Sequence, residues 1–222
     1  MSGAPPFQPI HAAAGTDRLS GAEARIEPVT WMGRAAVAKR RLAKPYRHPE
    51  LDALLRSERT RDEAALLLAA RRAGIRVPIL YDCDRAASTL VLEQVPGPTL
   101  RQALESDDSD TATARMATLG RVVGRLHDAG LSHGDLTTSN VLLPEPADAA
   151  SLVLIDFGLG AFGEEPEPRG VDLHLVEEAL AATDARHADL FAAFLEAYRQ
   201  SAACAPVVLQ RLDDIRQRGR YH

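Results

Sequence analysis

The segment "HGDLTTSN", residues 133 to 140, holds an acid, Asp135, and an amide, Asn140, five positions apart; a second acid, Asp156, closes the apolar run of "LVLIDFG". Transfer of a phosphoryl group from a nucleotide asks for this kind of set: little covalent work, but charge neutralised and the acceptor held beside a carboxylate. Asp135 suits accepting a proton from, or orienting, the attacking hydroxyl. Asn140 suits giving an amide oxygen to Mg²⁺, a hard cation that prefers oxygen ligands and keeps several waters. Asp156 suits bridging that metal to the phosphates, with Gly158 letting the backbone turn beside it. The order H-G-D-x-x-x-x-N followed by hydrophobic-D-F-G is specific, because several positions must agree within one short span.

Other positions must supply the rest of such a site. Lys39 in "AAVAKRR" ends an apolar run, where a lysine seated on a central strand would reach α- and β-phosphates. The competing reading is a solvated basic face, since Arg40, Arg41 and Lys44 follow; strand alternation favours Lys39 pointing with Val37 and Arg40 pointing away. Glu63 has two readings: an ion pair orienting Lys39, or the acidic member of a capping box begun by Thr60. Gly21 in "LSGAEAR" stands where a phosphate-covering loop or an ordinary hairpin turn would. Glu93 and Val95 in "LVLEQVPG" fall on a connection whose backbone groups could bond an adenine edge. His133 reads as a structural histidine bracing its loop.

The elements positioning these residues follow from pattern. Short apolar runs in "RIEPVTWMGRAAVAKRR" predict a strand hairpin. A helix is expected from Thr60 to Gly74, and strands in "VPILYDCD" and "STLVLEQV". "ESDDSD" reads as an acidic flexible stretch. "ARMATLGRVVGRLHDAG" is a helix with Met116, Leu119, Val123 and Leu126 on one side, and helical runs extend from Val171 to a basic end. The domain reading is a flexible tail over 1–17, a small β-rich lobe over 18–95, a helical lobe over 96–211 and a basic tail over 212–222.

Bulk properties agree. The 222 residues are 45% hydrophobic, enough for a core. A net charge of −5 gives the whole molecule no nucleic-acid signature, so any such contact must be local. Two cysteines, Cys83 and Cys204, cannot build a disulfide framework or a zinc site. No stretch has the length of a membrane span, and "MSGAPPFQPIHAAAG" lacks the layout of a secretory signal.

Together "KRRLAKPYRHPELD", "RTRDEAALLLAARRAGI", "HGDLTTSNVLL", "LIDFGLG", "GVDLHLVEEAL" and "DDIRQRGR" resemble the PRPK-type atypical small Ser/Thr kinases of the KEOPS (EKC) complex, over roughly residues 18 to 220. The resemblance implies an α+β, minimal two-lobed protein-kinase-like fold with a shortened helical C-lobe, using ATP and Mg²⁺. It implies membership of a complex that makes threonylcarbamoyladenosine in tRNA, with a threonylcarbamoyl-transferase subunit and a small regulatory subunit as partners. It further implies ATPase activity, Ser/Thr kinase activity toward p53-like proteins, no membrane contact, and a place in cytoplasm and nucleus. Carried onto this sequence, Gly21, Ala22, Glu23 and Ala24 form the phosphate loop, Lys39 and Glu63 the ion pair, Asp135 the acid/base, and Asn140 and Asp156 the metal ligands. Arg216, Arg218 and Arg220 are expected to contact tRNA or a partner from a mobile end, against the plainer reading of a solubilising tail.

Departures from ordinary protein kinases matter too. Gly134 replaces an Arg that would hold a phosphorylated activation loop, Thr137 replaces a lysine near the γ-phosphate, and "FGLGAFGEEPEPRGV" contains no Ala-Pro-Glu anchor. Slow turnover on protein substrates is expected. Two other functions remain: a small-molecule phosphotransferase of aminoglycoside or choline kinase type, for which the 66 residues after Asp156 leave little acceptor pocket, and a non-enzymatic scaffold.

Overall fold

The structure, a computed structural model, describes residues 7–9 (backbone only), 24–145 and 152–219. Gly21, Ala22, Glu23 and Arg220 lie outside these residues. Phe7–Pro9 forms a short strand, β1, paired antiparallel with the Val29–Trp31 end of β2 (Ala24–Trp31), so part of the expected N-terminal tail is an edge strand. β2 turns into β3 (Arg34–Arg41) through Met32 and Gly33, whose φ angles of 45° and 78° have the hand that closes a right-twisted two-residue hairpin. β4 (Leu80–Asp84) and β5 (Thr89–Glu93) complete an antiparallel sheet in the order β1-β2-β3-β5-β4. Val29, Ala36, Ala38 and Val91 form its packed face, with the partly buried Trp31 and Tyr81 packed against them.

Between β3 and β4 runs α1 (Pro49–Arg72), which begins eleven residues before the expected Thr60. Pro49 provides a preset φ and no surplus N–H, and Glu50 and Asp52 face the positive end of the helix dipole. Thr60 is therefore interior: its Oγ1 donates to the Arg56 carbonyl at 2.7 Å, and no capping box involves Glu63. The helix stops as expected. Gly74, at φ 76°, donates to the Arg71 carbonyl, and Ile75 donates to that of Ala70, the paired bonds of a Schellman end.

The chain divides into two compact units: Met1–Leu67 with Pro78–Gln94, and Leu68–Val77 with Val95–His222. The helical unit thus takes in the end of α1 and the stretch after it, which the simple division near residue 95 had put elsewhere. Its helices are α2 (Leu100–Ser106), α3 (Ser109–Asp128), α4 (Pro166–Ala181), α5 (His187–Ser201) and α6 (Ala205–Gly219). Its strands are short: β6 (Leu131–Ser132) pairs with β9 (Ala161–Phe162), and β7 (Val141–Leu142) with β8 (Val153–Leu154). "ESDDSD" is ordered, because Asp108 caps α3 through the Thr111 N–H at 2.7 Å and Asp107 holds Arg115 at 2.7 Å. The expected tail from 212 is helical to Gly219. Among the described residues no helix is long and apolar enough to cross a membrane.

The core of this unit is the face of α3 that the 3.6 period predicts: Met116, Leu119, Val123 and Leu126 are all fully buried. Each contributes roughly 1.5–3 kcal/mol on burial. α3 also carries Gly120 where α5 crosses it; a Cβ there would come within 2.2 Å of the Phe194 carbonyl. Gly120→Ala is expected to lower stability by about 1–3 kcal/mol through forced separation of the two helices; a urea titration with an unchanged midpoint would contradict this.

Candidate active site

The first unit brings Lys39 and Glu63 together. Lys39 is buried on β3, and its Nζ lies 2.7 Å from Glu63 Oε1 on α1, so the ion-pair reading of Glu63 holds and the capping reading does not. Alternation does the sorting: Arg40 is exposed while Lys39 and Arg41 are buried on the same side. Arg41 was not expected in the site. Its Nη2 lies 2.5 Å from Glu63 Oε2, so one carboxylate receives two cations from a single strand. Arg41 also lines a shallow pocket with Leu42, Lys44, Arg47, Arg56 and Arg59, beside the buried Asp52, which the Arg56 guanidinium at 2.6 Å holds below the usual carboxylate range. Ala24, expected to end the phosphate loop, is the first residue of β2. Glu93 is tied into the sheet: its N–H donates to the Ile79 carbonyl at 2.8 Å and its Oε2 accepts from the Ile79 N–H at 3.0 Å. Val95 is half-buried and begins the longer segment of the second unit.

The second unit brings together Asp135, Asn140 and Asp156. A short 3₁₀ turn, Thr138–Asn140, folds the loop back so that Asn140 Nδ2 donates to both the Asp135 carbonyl at 2.8 Å and Asp135 Oδ2 at 2.9 Å. With its amino group committed, the amide presents Oδ1 as its acceptor, the atom a hard cation takes. Asp156 arrives from the neighbouring strand: β8 pairs with β7, and the Ile155 N–H donates to the Asn140 carbonyl at 3.0 Å. Asp156 has φ 63°, a left-handed conformation costing an aspartate roughly 1–3 kcal/mol, and its Oδ1 accepts from the Gly158 N–H at 3.2 Å. Among the described residues no three His, Cys, Asp or Glu side chains group to hold a metal. One amide and one carboxylate, completed by phosphates and water, is nonetheless the sparse set Mg²⁺ accepts.

Two buried groups fix this geometry. The fully buried Asp172 of α4 accepts the His133 N–H at 2.6 Å and the Gly134 N–H at 2.7 Å, and its Oδ2 lies 3.2 Å from His127 Nε2. His127 Nδ1 in turn meets the Tyr198 hydroxyl at 2.9 Å, and burial pushes that phenol well above its ordinary pKa. His133 spans the two loops: Nδ1 accepts from the Asp135 N–H at 3.3 Å, and Nε2 donates to the Ile155 carbonyl at 2.9 Å. Its ring rests on buried Phe157, 4.5 Å between centroids. The bracing role expected for His133 matches this placement. Gly134, at φ 80°, is required by space, since a Cβ would fall 2.0 Å from the Leu159 carbonyl. The sequence gives Asp172 no visible role, because a lone acid on a helix carries no local sign that it will be buried against a distant loop.

Arg216 and Arg218 are on α6, not on a loose end. Arg216 makes paired bonds to Glu177 of α4 at 2.8 and 2.6 Å, and Arg218 meets Glu167 at 2.7 Å. Holding α6 against α4 occupies Arg216, which does not fit a free phosphate ligand.

Asp172→Ala leaves the His133 and Gly134 amides buried without acceptors and is expected to cost about 3 kcal/mol or more, read from denaturant unfolding. Burial holds His133 below its ordinary 6.5 in the folded chain. The unfolded chain then binds a proton below that value that the folded chain refuses. Its contribution is complete above pH 6.5 and is lost as pH falls below it. Unfolding midpoints at pH 7.5 and 5.5 should differ in that sense; equal midpoints would contradict the assignment.

Residues 18–198 match the lipopolysaccharide kinase (Kdo/WaaP) family. The chain is 41% identical over 206 residues to the EKC/KEOPS complex subunit Tp53rkb of Mus musculus, covering 90% of this chain and 84% of that protein. It is 37% identical to EKC/KEOPS complex subunit BUD32 of Gibberella zeae, covering 90% and 83%. It is 40% identical to a probable bifunctional tRNA threonylcarbamoyladenosine biosynthesis protein of Methanothermobacter thermautotrophicus, covering 90% of this chain but only 36% of that longer protein. Among solved structures it resembles WaaP in complex with acyl carrier protein (TM-score 0.60, 20% identity, 81% of this chain, 76% of that one) and the Rio2 kinase of Chaetomium thermophilum (TM-score 0.63, 19% identity, 94% and 71%). These likenesses show a protein-kinase-like α+β fold, with a small β-rich lobe and a helical C-terminal part. With its paired Lys39 and Glu63 and its Asp135, Asn140 and Asp156 set, the chain belongs to the Kdo/WaaP family and to the PRPK-type kinase subunits of the EKC/KEOPS complex.

Proposed function

We propose that this kinase-type phosphotransferase binds ATP with Mg²⁺ and acts mainly as an ATPase within an EKC/KEOPS assembly that supports threonylcarbamoyladenosine formation in tRNA. The observation that carries the reading is the bonding of Asn140 to Asp135 beside the strand that leads into Asp156, an arrangement that supports Asp135 as the base and Asn140 and Asp156 as oxygen ligands. Relatives named as EKC/KEOPS subunits and threonylcarbamoyladenosine biosynthesis proteins support the assembly and the tRNA. The fold shared with Rio2 kinase supports nucleotide use.

On this reading Asp135 orients the attacking oxygen and takes up its proton, while the Asn140 amide keeps the carboxylate aimed. Asn140 Oδ1 and Asp156 would hold Mg²⁺, which supplies charge neutralisation at the phosphates. Lys39, steadied by Glu63, would hold the α- and β-phosphates. The backbone near Glu93 and Val95 would take the adenine edge, and Gly21 to Ala24 would cover the phosphates. Phosphorylation of Ser/Thr in proteins, p53-like ones included, is the slower activity. The segment after Asp156 folds straight back as β9 on β6 and runs into α4, leaving little chain for a peptide platform.

The test is steady-state ATP hydrolysis by the native and Asp135→Ala chains, alone and with the threonylcarbamoyl-transferase subunit and tRNA. Native turnover should rise with the partner, and Asp135→Ala should lose about 10²-fold or more. Asp156→Ala should abolish Mg²⁺-dependent turnover yet still assemble. Full tRNA modification by the Asp156→Ala complex would make the chain a scaffold instead, and rapid phosphorylation of generic peptides by the isolated chain would refute the ATPase reading.

A further inference from the structure

A lysine paired with a glutamate is a neutral unit, and burying it asks only that the two charges meet. Here the buried unit has three members. Lys39, Arg41 and Glu63 are 7%, 6% and 2% exposed, and the single Glu63 carboxylate meets both cations. A third buried charge costs desolvation that its partners only partly offset, so a purely structural purpose would be served as well by an apolar side chain in the place of Arg41. The local design also fixes Arg41 closely. Its backbone N–H donates to the Ser88 carbonyl at 3.0 Å, the Ser88 hydroxyl lies 3.4 Å from Arg56 Nη1, and residues 39 and 41 project from the same side of β3.

The geometry points to Arg41 as a positioning residue for the nucleotide site, acting through Glu63. Glu63 gives Oε1 to Lys39 and Oε2 to Arg41. With the second oxygen taken by a guanidinium that stays charged at any working pH, the carboxylate cannot rotate to bind Lys39 through both oxygens. Oε1 thereby faces Lys39, which fixes where the ammonium sits beside the carboxylate. The same two bridges attach α1 to β3 at two successive inward positions, so Glu63 is held in the orientation that Lys39 needs without any outside signal. The inference rests on the reading of Lys39 as a phosphate ligand, and it adds a residue that the motif order did not include.

The experiment uses the full chain carrying Arg41→Met, Arg41→Lys, Glu63→Gln and the Arg41→Met/Glu63→Gln double change. In ATP hydrolysis with Mg²⁺, Arg41→Met should lower kcat tenfold or more with less than a threefold change in nucleotide Kd. Arg41→Lys, which returns one charged donor to Glu63, should stay within threefold of native. The double variant should be no slower than Glu63→Gln alone, because Arg41 works only through that carboxylate. A readout without nucleotide accompanies these: hydrogen exchange over residues 60–67 of α1 should quicken in Arg41→Met and stay native in Arg41→Lys. Arg41→Met turning over within twofold of native, losses that multiply in the double variant, or a folded Arg41→Lys more than tenfold slower than native would each overturn the inference. If Arg41→Met does not fold, the Arg41→Lys turnover and exchange decide. A native chain that fails to bind or hydrolyse ATP would sink the phosphate-ligand reading of Lys39, while the exchange comparison would still decide whether Arg41 tethers Glu63.

Discussion

The second unit depends on one buried carboxyl group. Asp172 sits in α4 with no exposure and collects the amides of His133 and Gly134, the two residues just before Asp135. A loop that turns through a left-handed glycine has peptide groups that no strand partner can satisfy, and orphaned amides of this kind are among the costliest defects a core can hold. Supplying their acceptor from a helix makes the loop's shape a property of helix packing. The His127–Tyr198 contacts then carry that constraint to α3 and α5, so the chemistry rests on the helical core and not on the loop itself.

A second constraint acts between the loops. His133 spans from the Asp135 amide to the Ile155 carbonyl, and Asn140 accepts from Ile155 through its own carbonyl. The positions of Asp135 and Asp156 are therefore not independent. Each is set by bonds from residues adjacent to the other, and the left-handed backbone of Asp156 is the local strain that this arrangement sustains.

What the sequence disclosed and what it concealed divide along the range of the interaction. The motif around Asp135, Asn140 and Asp156 was legible because its spacing is local and its residue types are chemically narrow. The α3 face was legible because four buried side chains obey one helical period. The start of α1 was misplaced because Thr60 and Glu63 match a capping box, although Pro49 with Glu50 and Asp52 is a fuller start signal. Asp107 and Asp108 looked flexible because acidic runs in isolation are, whereas here one binds Arg115 and the other caps a helix. Arg41 was given no role and Arg216 was expected on a mobile end for the same reason: nothing near them in sequence announces Glu63 or Glu177. Strand alternation did place Arg41 with Lys39, and that inward register was the one available clue.

The pocket beside Arg41 has a consequence for how this acidic protein meets other molecules. Its net charge of −5 describes only the distant field. Within about 8–10 Å, the screening distance of physiological salt, an approaching anion feels Arg41, Lys44, Arg47, Arg56 and Arg59 against the buried Asp52 and Glu63. Whole-molecule electrophoretic behaviour and local affinity for anions are thereby uncoupled: the same chain can migrate as an acid and still present a cationic face to whatever comes close.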